Sequence, residues 1–75
     1  MQQAFILINT KIGEEKQAFK TLKNIPNIKQ AHQIYGVYDI IAKLEAETID
    51  AINNTISLNI RKNKHIESTI TLLVP

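Results

Sequence analysis

The sequence predicts a small α+β domain with four strands and two helices in the order β-α-β-β-α-β. Three observations predict it. Four short runs are apolar or alternate with period two, two longer stretches carry apolar residues at helical spacing, and a glycine break divides the chain into two β-α-β halves. The 75 residues leave room for one domain, 1–75, and no second.

The first strand is Ala4 to Ile8, reading Ala-Phe-Ile-Leu-Ile, too short to be a helix of its own. Gly13 breaks it, and Glu14 and Glu15 follow where acidic residues favour the positive end of a helix dipole. Ala18, Phe19 and Leu22 then share a helical face, with Lys16, Lys20 and Lys23 largely outside it. The stretch Asn24-Ile25-Pro26-Asn27 stops this helix, because a residue before proline is pushed out of the helical region.

Ile28 to Tyr35 reads as the second strand, with Ile28, Gln30, His32 and Ile34 on one side and Lys29, Ala31, Gln33 and Tyr35 on the other. Gly36-Val37 suits a two-residue hairpin turn with glycine first. Tyr38 to Ala46 is the third strand, pointing Ile40, Ala42 and Leu44 one way and Ile41, Lys43 and Glu45 the other. Thr48 reads as an N-cap with Asp50 in the first turn, and Ile49, Ile52, Ile56 and Ile60 form the stripe of the second helix. Ile66 to Val74 closes the chain as the fourth strand. Its residues Ile66, Ser68, Ile70, Leu72 and Val74 share one face, and Glu67, Thr69, Thr71 and Leu73 the other.

This order is the ferredoxin-like βαββαβ arrangement, a four-stranded antiparallel sheet with both helices on one face. Such a sheet is expected to be apolar inward and polar outward. Here the first strand is apolar on both faces, Phe5 and Leu7 alternating with Ala4, Ile6 and Ile8. Thr69, Thr71, Leu73 and Ile41 are expected to join them on the uncovered face. A chain of this length buries only about 60–65% of its unfolded surface. The expectation is therefore that the sheet dimerises through that face.

Composition excludes several functions. There are no cysteines, so disulfides, thiolate metal sites and cysteine nucleophiles are ruled out. No apolar stretch approaches the roughly 20 residues of a membrane span. Met1-Gln2-Gln3 lacks the pattern of a secretion signal, so a cytoplasmic protein is expected. The net charge is +2, with lysines and arginine spread along the chain and four aromatic residues, Phe5, Phe19, Tyr35 and Tyr38. No direct nucleic-acid partner is expected from that distribution.

Enzyme chemistry is not assembled either. His32 and His65 are far apart and neither has a partner at ligand spacing; no glycine-rich loop exists. Glu14-Glu15 and Glu45/Glu47 read as solvated carboxylates at a helix start and a strand end. Arg61-Lys62-Asn63-Lys64-His65, the densest positive stretch, suits the negative end of the second helix. The expectation is no enzyme, no metal and no cofactor. Tyr35-Gly36-Val37-Tyr38-Asp39 remains, where the turn explains Gly36 but leaves Asp39 open. Its carboxylate suits either the turn's own backbone or a ligand's ammonium group.

The stretch Gly36-Val37-Tyr38-Asp39-Ile40-Ile41-Ala42-Lys43 resembles the hairpin Gly-x-Tyr-Asp motif and apolar strand of a known family. Glu67-Ser68-Thr69-Ile70-Thr71-Leu72-Leu73-Val74 matches that family's Ser/Thr-rich last strand. With the order of elements, the resemblance spans essentially the whole chain. It is to the C-terminal effector-binding (RAM) domain of the Lrp/AsnC, leucine-responsive regulatory protein, family of prokaryotic transcription regulators.

The resemblance implies homodimers formed sheet to sheet, assembled further into tetramers or octamers, with amino-acid effectors bound near the hairpin turns. It implies that Gly36 and the Val37 backbone approach the ligand, that Asp39 meets its α-ammonium and that Tyr38 walls the pocket. Thr69 and Thr71 are hydroxyl contacts or belong to the dimer interface. His65-Ile66 stands where the family carries Gly-Val. Full-length members place a helix-turn-helix domain before this module, and here the first strand follows Met1 closely. The expectation is a stand-alone module that modulates transcription without binding DNA itself, in partnership with full-length regulators. A small dimeric α/β-barrel enzyme of the monooxygenase type and an ACT-like regulatory module share the topology.

Overall fold

The computed structural model describes residues 1–75. Its elements are β1 (Gln2–Thr10), α1 (Glu15–Lys23), β2 (Ile28–Gln33), β3 (Ile40–Ala46), α2 (Ile49–Thr55) and β4 (Ile66–Val74), with a π-helical segment Ile56–Ile60 continuing α2. The strands make one antiparallel sheet in the order β2-β3-β1-β4. This is the ferredoxin-like arrangement expected from the sequence.

Strict alternation builds the two inner strands. Ala4, Ile6, Ile8 and Thr10 of β1 and Ile40, Ala42, Leu44 and Ala46 of β3 are buried, while the residues between them are half-buried or exposed. Against this face pack Ala18 and Leu22 of α1, Ile52 of α2, and Ile56 and Ile60 of the π-helical segment. All belong to one cluster, so both helices lie on the same side of the sheet. Ile49, expected in the stripe, is exposed at the first position of α2.

The start of α2 and the connection after α1 are tied by side chains. Thr48, in extended conformation, accepts a hydrogen bond from the Ala51 N–H at 3.0 Å, the N-cap expected from the sequence. Beyond α1, Asn27 takes φ 74°, the left-handed conformation that asparagine tolerates best after glycine. Its amide then donates to the buried Thr55 hydroxyl at 2.9 Å and its carbonyl accepts from the Glu45 N–H. One residue thereby fastens the α1–β2 connection to both α2 and β3.

Both outer strands depart from simple alternation, each through one extra residue. On β4, Asn9 pairs with Ser68 but Thr10 pairs with Ile66, leaving Glu67 as a bulge. On β2, Ile28 pairs with Leu44 but Gln30 with Lys43, leaving Lys29 as a bulge. A bulge reverses which residues face the core from that point on. Thr69, Thr71 and Leu73 therefore pair with Ile8, Ile6 and Ala4 on the helix side, not on the uncovered face as expected. The uncovered face instead carries Ile70, Leu72 and Val74 beside Leu7, Phe5 and Gln3. On β2, Ile28 and Ala31 share the helix side, in place of the regular alternation read from sequence.

The hairpin also differs from the two-residue turn expected. β2 ends at Gln33 and β3 begins at Ile40, so the connection is the six residues 34–39. The register is still the one a turn at Gly36-Val37 dictates, because Gln33 faces Ile40 and the Ile34 N–H donates to the Asp39 carbonyl at 2.9 Å. The ladder stops early because Asp39 turns its N–H to Ile8 of β1 instead.

Replacing Thr48 by alanine should lower unfolding stability by about 1 kcal/mol, the usual worth of an N-cap. Ile52→Ala should cost about 2–5 kcal/mol, since its side chain is wholly enclosed. Urea titrations followed by circular dichroism check both; an Ile52→Ala loss no larger than that of Thr48→Ala would place Ile52 outside the core.

Candidate functional site

All but Thr71 of the residues singled out in the sequence lie at one end of the sheet, where the hairpin, the β1–α1 connection and the start of β4 come together. Asp39 is the anchor. Its Oδ2 accepts the Thr10 N–H at 2.8 Å and the Thr10 hydroxyl at 3.1 Å. Of the two roles the sequence left open, the turn's own backbone is not the partner; a neighbouring strand is. Hydrogen bonds to a carboxylate are about twice as strong as neutral ones. Asp39 thus clamps the hairpin to β1 through one oxygen.

Asp39 also lines a concave site of ≈ 490 Å³ with Glu15, Lys16, Gln33, Ile34 and Tyr35. The site lies between the first turn of α1 and the base of the hairpin. It offers a cation from Lys16, carboxylates from Asp39 and Glu15, and apolar surface from Ile34 and Tyr35. Neither Lys16 nor Glu15 forms an ion pair, the two in the chain being Lys43–Glu45 and His65–Glu14.

Gly36 and Val37 sit at the exposed tip of the hairpin, and Tyr38 is half-buried beside Asp39. None of the three lines that concavity. Gly36 has φ 138°, a conformation side chains rarely adopt, whereas a Cβ there would meet nothing within 4 Å. The backbone shape requires this glycine; lack of space does not.

Thr69 lies across β1 from the hairpin. It pairs with Ile8, the residue whose carbonyl receives the Asp39 N–H, so the two are separated by two strand spacings, about 10 Å. Thr69 lines a separate concavity of ≈ 320 Å³ with Arg61, Ile66, Glu67 and Ser68. Thr71 is further along β4, opposite Ile6. Its hydroxyl oxygen is enclosed and has no hydrogen-bond partner within the chain. Thr69 is thus near the hairpin end and Thr71 in the middle of the sheet, and neither is in the same hollow as Asp39.

Two contributors escaped the sequence reading. Lys16 appeared only as part of the solvated side of α1, yet its position in the first turn brings it to the hairpin. His65 and Glu14, read as unrelated, are joined by a 2.7 Å contact between Nδ1 and Oε1. The Lys11 N–H donates to the His65 carbonyl at 2.9 Å, so the contact closes the β1–α1 loop onto the start of β4. No sequence signal links residues 51 positions apart.

A one-sided ferredoxin-like sheet with a charged, concave hairpin end defines a small ligand-binding module. The comparisons with known proteins agree. Residues 3–74 match the Lrp/AsnC ligand binding domain, and the chain belongs to that family. Among similar proteins, the HTH-type transcriptional regulator FL11 of Pyrococcus horikoshii is 30% identical over 71 residues, 95% of this chain and 46% of that protein. Homocitrate synthase of Sulfurisphaera tokodaii is 42% identical over 55 residues, 73% of this chain but 12% of that enzyme. The chain therefore spans less than half the length of these curated relatives. The crystal structure of FFRP-DM1 superposes with a TM-score of 0.95 at 36% identity, covering 100% of both chains. A transcriptional regulator from Neisseria meningitidis, NMB0573 in complex with L-Met, shares the fold at TM-score 0.88 and 13% identity, over 99% of this chain and 49% of that one.

Asp39→Ala should destabilise the fold by about 1–3 kcal/mol, because it strands the N–H and hydroxyl of the buried Thr10. Asp39→Asn, which keeps an accepting oxygen, should retain most of that stability. Denaturation of the two variants side by side checks the clamp; an Asp39→Ala variant as stable as the unmodified protein would mean that the Thr10 contacts contribute nothing.

Proposed function

We propose that this chain is an amino-acid-sensing and assembly module of the Lrp/AsnC family, a cytoplasmic regulatory component and not an enzyme. The carrying observation is the concavity whose lining includes both Lys16 and Asp39 beside Ile34 and Tyr35. A free α-amino acid bears both charges and a side chain. Its carboxylate suits Lys16, and its ammonium suits the Asp39 oxygen not engaged by Thr10, the role the Gly-Val-Tyr-Asp resemblance gives Asp39. The L-Met in the Neisseria regulator supports this ligand class. In this reading Gly36, Val37 and Tyr38 shape the loop that carries Asp39, and of the two β4 threonines only Thr69 is a ligand contact, the Thr71 hydroxyl being enclosed on the helix side of the sheet.

The assembly half of the proposal rests on the uncovered sheet face. Ile70 is 45% exposed and Leu72 50%, and they continue the half-buried Phe5, Leu7 and Ile41 into one apolar surface. Two such faces packed together form a dimer, from which tetramers and octamers follow by further contacts. Full-length regulators of the family are partners through the same surface. A ligand shifts such an equilibrium only if it binds one assembly state more tightly than another. The module reads no bases itself; it acts on transcription through assembly. The homocitrate synthase match fits the same reading, because the similar segment is 12% of that enzyme.

Light scattering with a panel of amino acids, run beside thermal unfolding, is the test. At least one amino acid should raise the unfolding temperature and change the mass, and Lys16→Ala should weaken that response by about tenfold or more. A protein indifferent to every amino acid would sink the sensing role. Leu72→Glu should yield a monomer; an unchanged mass would remove the sheet face from the interface.

A further inference from the structure

The lysines of α1 form a row. Lys16, Lys20 and Lys23 are spaced by four and three residues, which places them on one helical face. All three are exposed and none is in an ion pair, while the Lys23 ammonium stands 4.5 Å from the centre of the Phe19 ring. The two ends of this row, Lys16 and Lys23, lie beside β2. Lys23 lines a hollow of ≈ 170 Å³ with Ile28, Lys29, Gln30 and Ala31, and Lys16 lines the larger hollow at the other end of the same strand. The helix and the strand therefore bound two hollows along β2, each with a lysine of α1 in its wall.

The other wall is a free strand edge. β2 is terminal in the sheet and pairs only with β3, so its outer edge has no strand partner. Ile28 and Ala31, packed against the core from the side, give the groove an apolar floor. A lysine on an edge strand ordinarily guards against unwanted pairing, and the bulge at Lys29 fits that purpose. Guarding does not account for three further lysines on the adjacent helix. They leave the edge open and make the approach to it positive, which repels cationic chains and attracts anionic ones.

We propose that the groove between α1 and β2 receives an extended acidic peptide segment, which adds to the free edge of β2 as a fifth strand. Main-chain hydrogen bonds to β2 supply affinity, carboxylates of the peptide meet Lys23 and Lys29, and Lys20 adds to the positive approach. A nucleic-acid backbone would satisfy the ammonium groups but has no use for a strand edge, and the combination of the two favours the peptide. This inference does not depend on the amino-acid site.

Fluorescence anisotropy with a short labelled peptide alternating glutamate with valine tests it on the full chain. The peptide should bind, more weakly as salt is raised. The triple variant Lys20→Glu/Lys23→Glu/Lys29→Glu should lose about tenfold or more in affinity. A peptide with proline in place of valine, which lacks the N–H groups for edge pairing, should fail to bind. Equal binding of the proline peptide, tighter binding of single-stranded oligo-dT, or an unaffected triple variant would each overturn the proposal. Amide shifts in an NMR titration of the unmodified protein keep it testable if the variant misfolds. Shifts centred on Lys29–Gln33 and α1 support the groove, and shifts elsewhere, or none, refute it.

Discussion

A sheet covered by helices on one side has to present its other side to solvent or to another molecule, and in a chain this small that constraint governs everything else. The core comprises 13 buried apolar residues, all on the helix side of the sheet. β1 is a central strand, yet Phe5 and Leu7 point away from that core into a surface shared with Ile41, Ile70 and Leu72. At roughly 25 cal/mol per Å² of apolar area, leaving such a surface wet forgoes much of the burial available to a short chain. The proposed assembly through this face is thus a completion of the fold, and ligand control of assembly would act on stability at the same time.

The two bulges decide what that face is made of. Glu67 and Lys29 each add one residue to an outer strand, and each reverses the phase of the strand beyond it. On β4 the reversal moves the hydroxyls of Thr69 and Thr71 to the helix side and delivers Ile70, Leu72 and Val74 to the open face. The open face becomes more apolar than regular alternation would make it. Both bulged residues are charged and both lie on edge strands, where a bulge also discourages indiscriminate pairing. The same devices therefore shape one surface for association and restrict two edges.

At the hairpin end, a structural role and a binding role converge on Asp39. One carboxylate oxygen is committed to Thr10, which holds the loop against β1. The proposed ligand role uses the other oxygen and gains from the first, because a clamped carboxylate is already oriented for its partner. The His65–Glu14 contact performs a comparable fastening for the loop before α1, on the far side of β1. Two strand spacings separate Asp39 from Thr69 within the chain, so the proposed ligand site at Asp39 does not include Thr69 of the same subunit.

The sequence by itself determined the order of the elements, the alternation of β1 and β3, the Thr48 cap and the break at Pro26. Each of these follows from residues close together along the chain, where period, propensity and capping act locally. It also marked Asp39 as an acid that a turn alone does not explain. Only the tertiary structure decided the phase of β2 and β4, because a bulge depends on which residue of the neighbouring strand is available to pair. It likewise decided that Asp39 bonds to Thr10, that Glu14 meets His65, and that Lys16 and Lys23 of α1 stand beside β2. These are contacts between segments distant in sequence, and their geometry exists only once the sheet has set the distances between them.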